Sequence, residues 1–369
     1  MSSSALLPST LRMVAWEVTR SCNLSCIHCR ASSEKGPYAG ELSTEQGKKL
    51  LEEIAAFSKP VIILTGGEPL LREDVYELAA YGDQLGLRMV LATNGTLVTE
   101  GVARRMQEAG IQRVSISLDG PDADSHDAFR QMPGAFAGSL AGIAALKKAG
   151  LEFQINTTIT STNRHQLSAL MDIAVRLGAA AHHIFLLVPT GRGRELAGQT
   201  ISSQDYEDTL QAFYSASLTS PILLKATCAP HYFRILHQKG AAEKRPSTEG
   251  HGALHTVTRG CLGGISFCFI SHTGQVQPCG YLELNCGEVL KTGFEAIWKN
   301  AAVFQKLRNP AAYSGKCGRC EFFRVCGGCR ARAYELSGDY LAEEPFCIYE
   351  PGGKASALAR SKTESGSSG

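Results

Sequence analysis

Between residues 13 and 188 the chain alternates short apolar segments with amphipathic ones, and this repeat restricts the fold more than any other feature. Two of the amphipathic segments, 44–57 and 139–149, have the periodicity of helices. The predicted strands are 13–18, 61–64, 88–92, 113–118, 152–158 and 183–187. Strands that alternate with helices favour a parallel sheet. Six such units are fewer than the eight of a complete barrel, so we expect an α/β fold with a partial (β/α)6 barrel. Its open side would suit a large substrate.

The 13 cysteines are the second unusual feature of this 369-residue chain, because they occur in clusters. An odd number of clustered cysteines indicates metal ligands or catalytic thiols in a reducing compartment, so we expect a cytoplasmic protein. The first residues lack the regions of a signal peptide, and no apolar run reaches the roughly 18–20 residues of a membrane span. A net charge of +2 gives no general attraction to nucleic acid.

Composition divides the chain into five predicted regions. Both ends are polar and rich in small residues, which predicts disordered tails. Nine of the 13 cysteines fall in a small second domain that needs cofactors to fold, and a mostly helical linker with a loop around 239–255 precedes it. The predicted boundaries are 1–10 for the first tail, 11–200 for the barrel, 201–258 for the helical linker region, 259–351 for the cysteine-rich domain and 352–369 for the last tail.

Cys22, Cys26 and Cys29 form a C-x3-C-x2-C motif directly after the first predicted strand. In a β/α barrel the loops that follow the strands hold the active site. Three thiolates on one loop can bind three irons of a 4Fe–4S cubane and leave the fourth iron for a substrate. A zinc site with His28 as the fourth ligand, or buried free thiols, are the alternatives.

This motif resembles the signature of the radical S-adenosylmethionine (SAM) superfamily. The resemblance implies that Cys22, Cys26 and Cys29 carry the catalytic 4Fe–4S cluster and that SAM binds its fourth iron. Superfamily members usually have an aromatic residue before the third cysteine, where this chain has His28. An imidazole can also stack on adenine.

Further segments match the superfamily in the expected order, at the ends of the second, third and fourth strands. The G-G-E-P segment is similar to the one that binds the methionine amino group. Its glycines allow close backbone approach, and the glutamate can accept a hydrogen bond from an ammonium. The other residues are similar to those that bind the ribose and the carboxylate of SAM. The SAM-binding residues implied in this way are Gly66, Gly67, Glu68, Pro69, Asn94, Ser117, Asp119 and Arg130.

The cysteines of the second domain follow C-x12-G-x4-C and then C-x2-C-x5-C-x2-C. This pattern resembles the SPASM extension, which carries auxiliary 4Fe–4S clusters, although the last spacing in that family is usually three residues. The cluster ligands implied most directly are Cys317, Cys320, Cys326 and Cys347. A pair of zinc knuckles is the alternative.

A second auxiliary cluster is also implied by the SPASM resemblance. Its ligands would be Cys261, Cys279 and Cys329, with Cys268 as a possible fourth. Cys228 and Cys286 remain unassigned, and a small buried thiol is the simplest interpretation of Cys286. The number of auxiliary clusters therefore stays open at one or two.

Two short segments, 13–22 and 227–232, resemble the tetrapyrrole-modifying branch of the superfamily, and most of all the haem b synthases. These are oxidoreductases that decarboxylate Fe-coproporphyrin III. The resemblance implies that SAM cleavage produces a radical that takes hydrogen from a propionate, after which carbon dioxide and one more electron leave. Two propionates become vinyl groups. Another tetrapyrrole modification, such as haem d1 synthesis, or the maturation of a ribosomal peptide remains an alternative.

A porphyrin with four carboxylates needs cations in its binding site. Arg192 and Arg194 follow the sixth predicted strand and are candidates for an anion clamp at the barrel mouth. His231 is a candidate contact for the iron or a carboxylate. A solvated basic loop and a structural histidine are the alternatives. As partners we expect an iron porphyrin and a low-potential electron donor such as flavodoxin or ferredoxin, with the chain acting as a monomer.

Overall fold

The computed structural model describes residues 6–7, 9–240 and 259–352, and these contain one sheet of ten strands. The strands are β1 (Met13–Thr19), β2 (Val61–Gly66), β3 (Arg88–Thr93), β4 (Arg113–Ser117), β5 (Phe153–Ile159), β6 (Ala181–Leu186), β7 (Leu223–Thr227), β8 (Phe267–Ile270), β9 (Gln275–Gln277) and β10 (Gly287–Glu288). Their order is β10-β9-β8-β1-β2-β3-β4-β5-β6-β7. Because β10 and β7 stand at opposite ends of this order, the sheet is not closed, and the predicted open barrel is confirmed.

The strands from β1 to β7 are parallel, and each is followed by a connection that contains a helix. The helices of the described residues are α1 (Thr44–Phe57), α2 (Val75–Gln84), α3 (Glu100–Glu108), α4 (Ala123–Arg130), α5 (Ala135–Lys148), α6 (Leu167–Leu177), α7 (Ser203–Ser217), α8 (His231–Gln238), α9 (Val289–Thr292), α10 (Phe294–Asn300), α11 (Ala302–Arg308), α12 (Gly315–Arg319) and α13 (Arg330–Ser337). Helix α1 begins at its predicted residue because Ser43 and Gln46 form a capping box. Among these helices, none has both the length and the apolar character that crossing a membrane requires.

Alternating residues of the strands face opposite sides of the sheet, as β geometry requires. In β6, Ile184 and Leu186 pack against α7 and α8 through residues such as Phe213 and Ile235. Burial of each of these side chains stabilises the fold by roughly 1.5–3 kcal/mol. The residues that alternate with them, His183 and Phe185, face the inner side of the barrel and are only partly buried. The helices therefore cover the outer face, and the inner face is left for a ligand.

Two strands that pair directly with strands of the predicted barrel lie outside its predicted boundaries. Leu223–Thr227 forms β7 and pairs with β6, although the sequence predicted a mostly helical linker there. Phe267–Ile270, from the cysteine-rich region, forms β8 and pairs in parallel with β1. The barrel and the cysteine-rich region therefore share one sheet, with the cysteine-rich region at the β1 side.

The first tail is partly ordered, which differs from the prediction. The amide of Leu7 donates to the carbonyl of Arg308 at 2.8 Å, and Trp298 donates its indole N–H to the carbonyl of Ser9 at 3.2 Å. Leu7 is also buried against Ile265 and Phe323. The predicted loop at 239–255 falls mostly outside the described residues, and so does the predicted last tail beyond residue 352.

Candidate active site and metal centres

Cys22, Cys26 and Cys29 lie together on the loop that follows β1. Each sulfur accepts one hydrogen bond, from the amide of Leu24 to Cys22 at 3.4 Å, from the amide of Ser33 to Cys29 at 3.4 Å, and from Arg130 to Cys26 at 3.6 Å. Burial raises the pKa of Cys22 to about 12 and also raises that of Cys26. Buried thiols of this kind ionise when a cationic metal compensates their charge, so the loop suits a metal centre.

The loop after β6 holds the cysteine loop in place. Arg192 donates its backbone amide to the carbonyl of Cys29 at 3.0 Å, and its guanidinium donates to the carbonyls of Cys26 and Ser33, both at 2.9 Å. Gly191 allows this approach, because a Cβ at its position would lie 2.2 Å from the carbonyl oxygen of Arg30. Arg192 therefore braces the cysteine loop instead of presenting a free fork to an anion.

Arg194 is also placed differently from the prediction. Its side chain is 61% exposed and pairs with Glu335 at 3.2 Å. The two arginines point to different partners because the turn of Gly191–Arg194 directs one towards the cysteine loop and the other towards α13. The predicted anion clamp of Arg192 and Arg194 is not formed.

The G-G-E-P segment connects β2 to the start of the cysteine loop. The amide of Gly67 donates to the carbonyl of Thr19 at 2.9 Å, and the amide of Glu68 donates to that of Ser21 at 2.8 Å. A Cβ at Gly67 would lie 2.4 Å from the carbonyl oxygen of Ser21, so only glycine fits. Pro69 is buried and begins a short 3-10 helix. The segment brings the carboxyl ends of β1 and β2 together.

The Glu68 carboxylate is fully buried and bonds within the protein. It accepts from the Thr93 hydroxyl at 2.7 Å, from the amide of Asn94 at 2.9 Å and from that of Leu70 at 3.2 Å. Burial raises the pKa of Glu68 to about 7. Three donors therefore fix this side chain between β2 and β3. Gly66 ends β2 beside it, with the backbone of Thr19 in contact.

The polar residues at the ends of β3 and β4 lie around the same opening. Asn94 donates to the side chain of Asn23 in the cysteine loop at 2.9 Å. Ser117 is the last residue of β4 and is partly buried. Asp119 is buried and accepts from the amide of Thr158 at 2.7 Å. The structure thus brings these predicted residues to one edge of the sheet.

Arg130 ends α4 and is buried against Asp119 and Cys26. Two of its nitrogens are used by the Asp119 carboxylate and the Cys26 sulfur, and its Nε has no partner within the described part of the chain. The expected pairing of Arg130 with the carboxylate of SAM stays a prediction. His28 stacks on Phe129 nearby, with ring centroids 4.5 Å apart.

Cys317, Cys320, Cys326 and Cys347 line one cavity. Cys317 Sγ accepts from the Arg330 guanidinium at 3.5 Å and from the amide of Glu344 at 3.3 Å. The predicted substrate residue His231 lines this same cavity and is buried there. It is therefore displaced from the predicted iron or carboxylate contact, because the first turn of α8 faces the cysteine-rich region.

Cys326 and Cys329 belong to two different sites although only two residues separate them. Gly327 and Gly328 both adopt left-handed φ angles, +79° and +60°, and turn the chain between the cysteines. Cys326 then lines the cavity that it shares with Cys317, whereas Cys329 is buried beside Val188 and Leu282. The shortened spacing therefore still divides the cysteines as the SPASM pattern predicts.

A second group of thiols surrounds Cys329. Cys279 and Cys228 pack against the apolar cluster that contains Cys329, and Cys261 is joined to Cys326 through a backbone hydrogen bond of 3.0 Å. The thiolates of Cys261 and Cys329 contribute, after burial, to raising the pKa of Cys279. Cys279 and Cys329 therefore share one cluster, and Cys261 lies close enough for its thiolate to affect both. That the three bind one metal cluster stays a prediction.

Cys268 is not part of this second group, which corrects its assignment as a possible fourth ligand. It lies in β8, opposite Val14 of β1, and is fully buried in the main core. The nearest thiol that affects its pKa is that of Cys286, which packs against the same core. The side-chain alternation of β8 points Cys268 into the main core, away from Cys279 and Cys329.

The loop of Cys279 touches the loop of Cys29. A Cβ at Gly280 would lie 3.2 Å from Nε of Arg30, and Arg30 pairs with Glu17 at 3.0 Å. Burial raises the pKa of the next residue, Tyr281. Thiolates on both sides raise it further: Cys228 and Cys279 in the second group of thiols, and Cys29 in the cysteine loop. The second thiol group is therefore the neighbour of the C-x3-C-x2-C site.

A row of polar residues crosses the inner face of the barrel, and the sequence analysis missed it. Ser117, Asn156, His183 and Lys225 pair in register across β4, β5, β6 and β7, so their side chains share one face. All four are partly buried. The sequence pattern that could have indicated this row is a polar residue at every second position of β5, and again in the short β7. We call these four residues the polar row.

The three groups of cysteines fit iron–sulfur clusters. A cubane binds each thiolate at a different iron, so its ligands surround a volume instead of meeting at one point. Cys317, Cys320, Cys326 and Cys347, which line one cavity, have this arrangement. Over residues 6–7, 9–240 and 259–352, no three His, Cys, Asp or Glu side chains converge on the position of a single metal ion.

Comparison with known families gives two matches. A model of the radical SAM superfamily matches residues 16–174, and a model of an iron–sulfur cluster-binding domain, SPASM, matches residues 261–321. An AdoMet-dependent heme synthase of Nitratidesulfovibrio vulgaris is 55% identical over 342 residues, which cover 93% of each chain. An AdoMet-dependent heme synthase of Methanosarcina barkeri is 52% identical, over 93% of this chain and 98% of that protein.

A solved structure shares the fold. Streptococcus suis SuiB, crystallised with S-adenosylmethionine, superimposes with a TM-score of 0.71 over 92% of this chain and 78% of SuiB. The two sequences are 14% identical, so the likeness concerns the fold alone. It covers both the barrel and the cysteine-rich region.

Proposed function

The chain belongs to the radical SAM superfamily, in the same family as the two heme synthases above, and from this membership we propose that it converts Fe-coproporphyrin III into haem b. The reaction is the oxidative decarboxylation of two propionate side chains to vinyl groups. Each propionate loses a hydrogen from its β-carbon, then carbon dioxide and one further electron. The observation that carries the proposal is 55% identity over 93% of both chains.

The cofactors follow from the family. The chain binds SAM and a 4Fe–4S cluster in its barrel and auxiliary iron–sulfur clusters in its SPASM domain. When bound, these groups supply a hydrogen-abstracting radical and one-electron transfer. We propose that the ligands of the first cluster are Cys22, Cys26 and Cys29, and that those of one auxiliary cluster are Cys317, Cys320, Cys326 and Cys347. The sulfur hydrogen bonds and the shared cavity described above support these assignments.

The SAM site is proposed at the edge where β2, β3 and β4 end. The backbone of Gly66 and Gly67 approaches the cysteine loop closely. Glu68 and Pro69 then fix the direction of the chain after β2. Asn94 and Ser117 present polar groups at the same edge. Asp119 and Arg130 hold each other and the Cys26 sulfur, so their part in the site is to position the cysteine loop.

The porphyrin is proposed to enter the inner side of the barrel, over the polar row. Lys225 carries a positive charge there, and an ammonium can pair with a propionate carboxylate. His183 lies opposite Lys225 in the register of β6 and β7 and shares a polar contact of 3.0 Å with Gln154. Its imidazole can bind iron or donate to a second carboxylate. These two residues replace Arg192, Arg194 and His231 as the proposed substrate contacts.

The remaining assignments concern the protein in the cell. Clustered cysteines that hold iron–sulfur clusters stay functional in a reducing compartment, so we place the protein in the cytoplasm. We propose a monomer that receives electrons from a low-potential donor such as flavodoxin or ferredoxin. For the domain boundaries we retain 11–200 for the barrel and 259–351 for the SPASM-type domain, and we place β7 with the barrel.

The test is anaerobic turnover of the reconstituted protein with Fe-coproporphyrin III, SAM and a reductant. We expect haem b and 5′-deoxyadenosine, and neither product from the Cys26→Ala variant. Absence of haem b from the unmodified protein would refute the proposal. Conversion of a different tetrapyrrole, or of a peptide in place of the porphyrin, would support the alternative functions.

A second measurement concerns the polar row. Lys225→Met should weaken the binding of Fe-coproporphyrin III about tenfold, because one carboxylate loses its cation. Lys239→Met, on an exposed lysine after α8, is the matched control and should bind normally. Equal affinity of both variants would exclude Lys225 as a substrate contact but would leave the reaction itself unaffected.

A further inference from the structure

We infer that Cys228 is the fourth ligand of the second auxiliary cluster, together with Cys261, Cys279 and Cys329. This inference concerns the cluster alone and does not depend on the substrate. Neither the SPASM pattern nor the matched range 261–321 includes Cys228, which lies on the loop between β7 and α8.

The first observation is the packing of the thiols. Cys228 and Cys279 pack against the same apolar cluster, which contains Cys329, Val188 and Leu282. Cys261 lies next to this cluster, because its amide donates to the carbonyl of Cys326 at 3.0 Å, three residues before Cys329. Four thiols around one volume are the ligand set of a 4Fe–4S cubane.

The second observation is the network that fixes Cys228 relative to Cys329. The carbonyl of Cys228 accepts from the guanidinium of Arg332 at 3.0 Å. The same guanidinium pairs with the Glu344 carboxylate at 3.2 Å, which accepts from the amide of Cys329 at 2.7 Å. Arg332 and Glu344 are both fully buried. A buried ion pair therefore holds the backbones of two proposed ligands in a fixed arrangement.

The third observation is the backbone of Cys228 itself. Its φ angle is +54°, in the left-handed region that side chains other than those of Gly, Asn and Asp rarely adopt. Tyr206 also donates to its carbonyl, at 3.2 Å, so the conformation is held from two sides. Strain of this kind persists where the surrounding structure imposes it, often at functional sites. If Cys228 only filled space in an apolar cluster, this strained backbone conformation would have no use.

The competing ligand is Cys268, and its position in the main core beside Cys286 separates it from the group. With Cys228 as the fourth ligand, every iron of the second auxiliary cluster has a protein thiolate. Such a cluster has no open iron, so it can transfer electrons but cannot bind a substrate directly. The open coordination position of the protein then remains at the Cys22, Cys26 and Cys29 site.

The experiment counts iron in the full-length chain after anaerobic reconstitution. Cys22, Cys26 and Cys29 are all changed to Ala, so that about eight irons remain in two auxiliary cubanes. In this background Cys228→Ala should lose between one and four irons and change the electron paramagnetic resonance spectrum of the reduced protein. Cys268→Ala and Cys286→Ala are matched controls, because each removes a thiol that packs in the main core, and both should keep about eight irons.

Two further variants separate ligation from folding. Glycine adopts the left-handed conformation without strain, so Cys228→Gly should fold at least as well as the alanine variant and still lose iron. Cys228→Ser offers an oxygen ligand at the same place and should keep the cluster with an altered spectrum. Full iron content with an unchanged spectrum in both variants would overturn the inference, and so would loss of iron on Cys268→Ala instead.

Discussion

Arg130 donates a hydrogen bond of 3.6 Å to the sulfur of Cys26, although 104 residues separate the two in the sequence. The other end of its guanidinium pairs with Asp119, which is buried with it. The sulfur that the cysteine loop presents at its centre is therefore held by a residue of α4. A buried ion pair that reaches a proposed cluster ligand would link the stability of the barrel to the geometry of the cysteine loop.

Arg130→Gln should destabilise the protein strongly, because it leaves the Asp119 carboxylate buried without its cation. Removal of one partner of a buried ion pair costs about 3–5 kcal/mol. The double variant Arg130→Gln/Asp119→Asn should recover part of this loss. The loss of stability is measured from the anaerobic denaturation midpoints of the unmodified protein, the single variant and the double variant. A single variant as stable as the unmodified protein would show that the pair contributes little.

Arg192 and Arg194 offer a matched comparison within one loop. Arg192→Lys removes the fork that joins the carbonyls of Cys26 and Ser33, so the cysteine loop loses a brace. We expect a loss of roughly 1.5–3 kcal/mol and faster release of iron to a chelator. Arg194→Lys affects an exposed ion pair and should change stability by less than about 1 kcal/mol. Similar iron release from both variants would contradict this assignment of roles.

His231 should influence the cluster at Cys317, Cys320, Cys326 and Cys347. Neither of its ring nitrogens has a hydrogen-bond partner within the described ranges, and burial lowers its pKa to about 4, so the ring is neutral in the cavity. A neutral imidazole carries one N–H, which can donate to a cluster sulfur and favour the reduced state.

His231→Phe keeps the ring and removes that donor. We therefore expect a lower reduction potential for this cluster, measured by anaerobic redox titration with spectroscopic detection. His237→Phe, on an exposed histidine of the same helix, should leave the potential unchanged. Identical potentials in the two variants would show that His231 is only structural.

His182 predicts how stability depends on pH. Burial lowers its pKa from 6.5 to about 4, and the ring contacts the Thr157 hydroxyl at 2.8 Å. As the pH falls, His182 takes up a proton near pH 6.5 in the unfolded chain but only near pH 4 in the folded chain. Its contribution to stability is therefore complete above pH 6.5 and falls by about 3 kcal/mol as the pH drops towards 4.

The check is the free energy of unfolding of the apoprotein across this pH range. His182→Gln keeps a neutral donor or acceptor at the same place and should show a weaker loss of stability in acid. A slope as steep in the glutamine variant as in the unmodified protein would assign the acid sensitivity to other groups.

The sequence predicted those parts of the fold that depend on local patterns. The six strands and α1 follow from apolar alternation and from the capping residues at Ser43 and Gln46. Strand β7 was missed because Lys225 interrupts a segment of only five residues, and its inner position is visible only once β6 lies beside it. The pairing of β8 with β1 joins distant parts of the chain, which no local pattern indicates.

Spacing was a good guide to which cysteines lie together and a poor one to the contacts of the residues around them. The motif placed Cys22, Cys26 and Cys29 correctly on one loop, and the SPASM pattern separated Cys326 from Cys329. Arg192 was expected at a barrel mouth, where it does lie, but backbone carbonyls of a distant loop decide where its guanidinium points. Such contacts arise only in the folded chain.

The most direct measurement of the central claim uses Fe-coproporphyrin III labelled with deuterium at the β-carbons of its propionates. The account predicts that 5′-deoxyadenosine carries deuterium, that two molecules of it form for each haem b, and that Cys26→Ala forms none. Mass spectrometry of both products gives the result. Unlabelled 5′-deoxyadenosine alongside an unchanged porphyrin would show that the protein cleaves SAM but acts on another substrate.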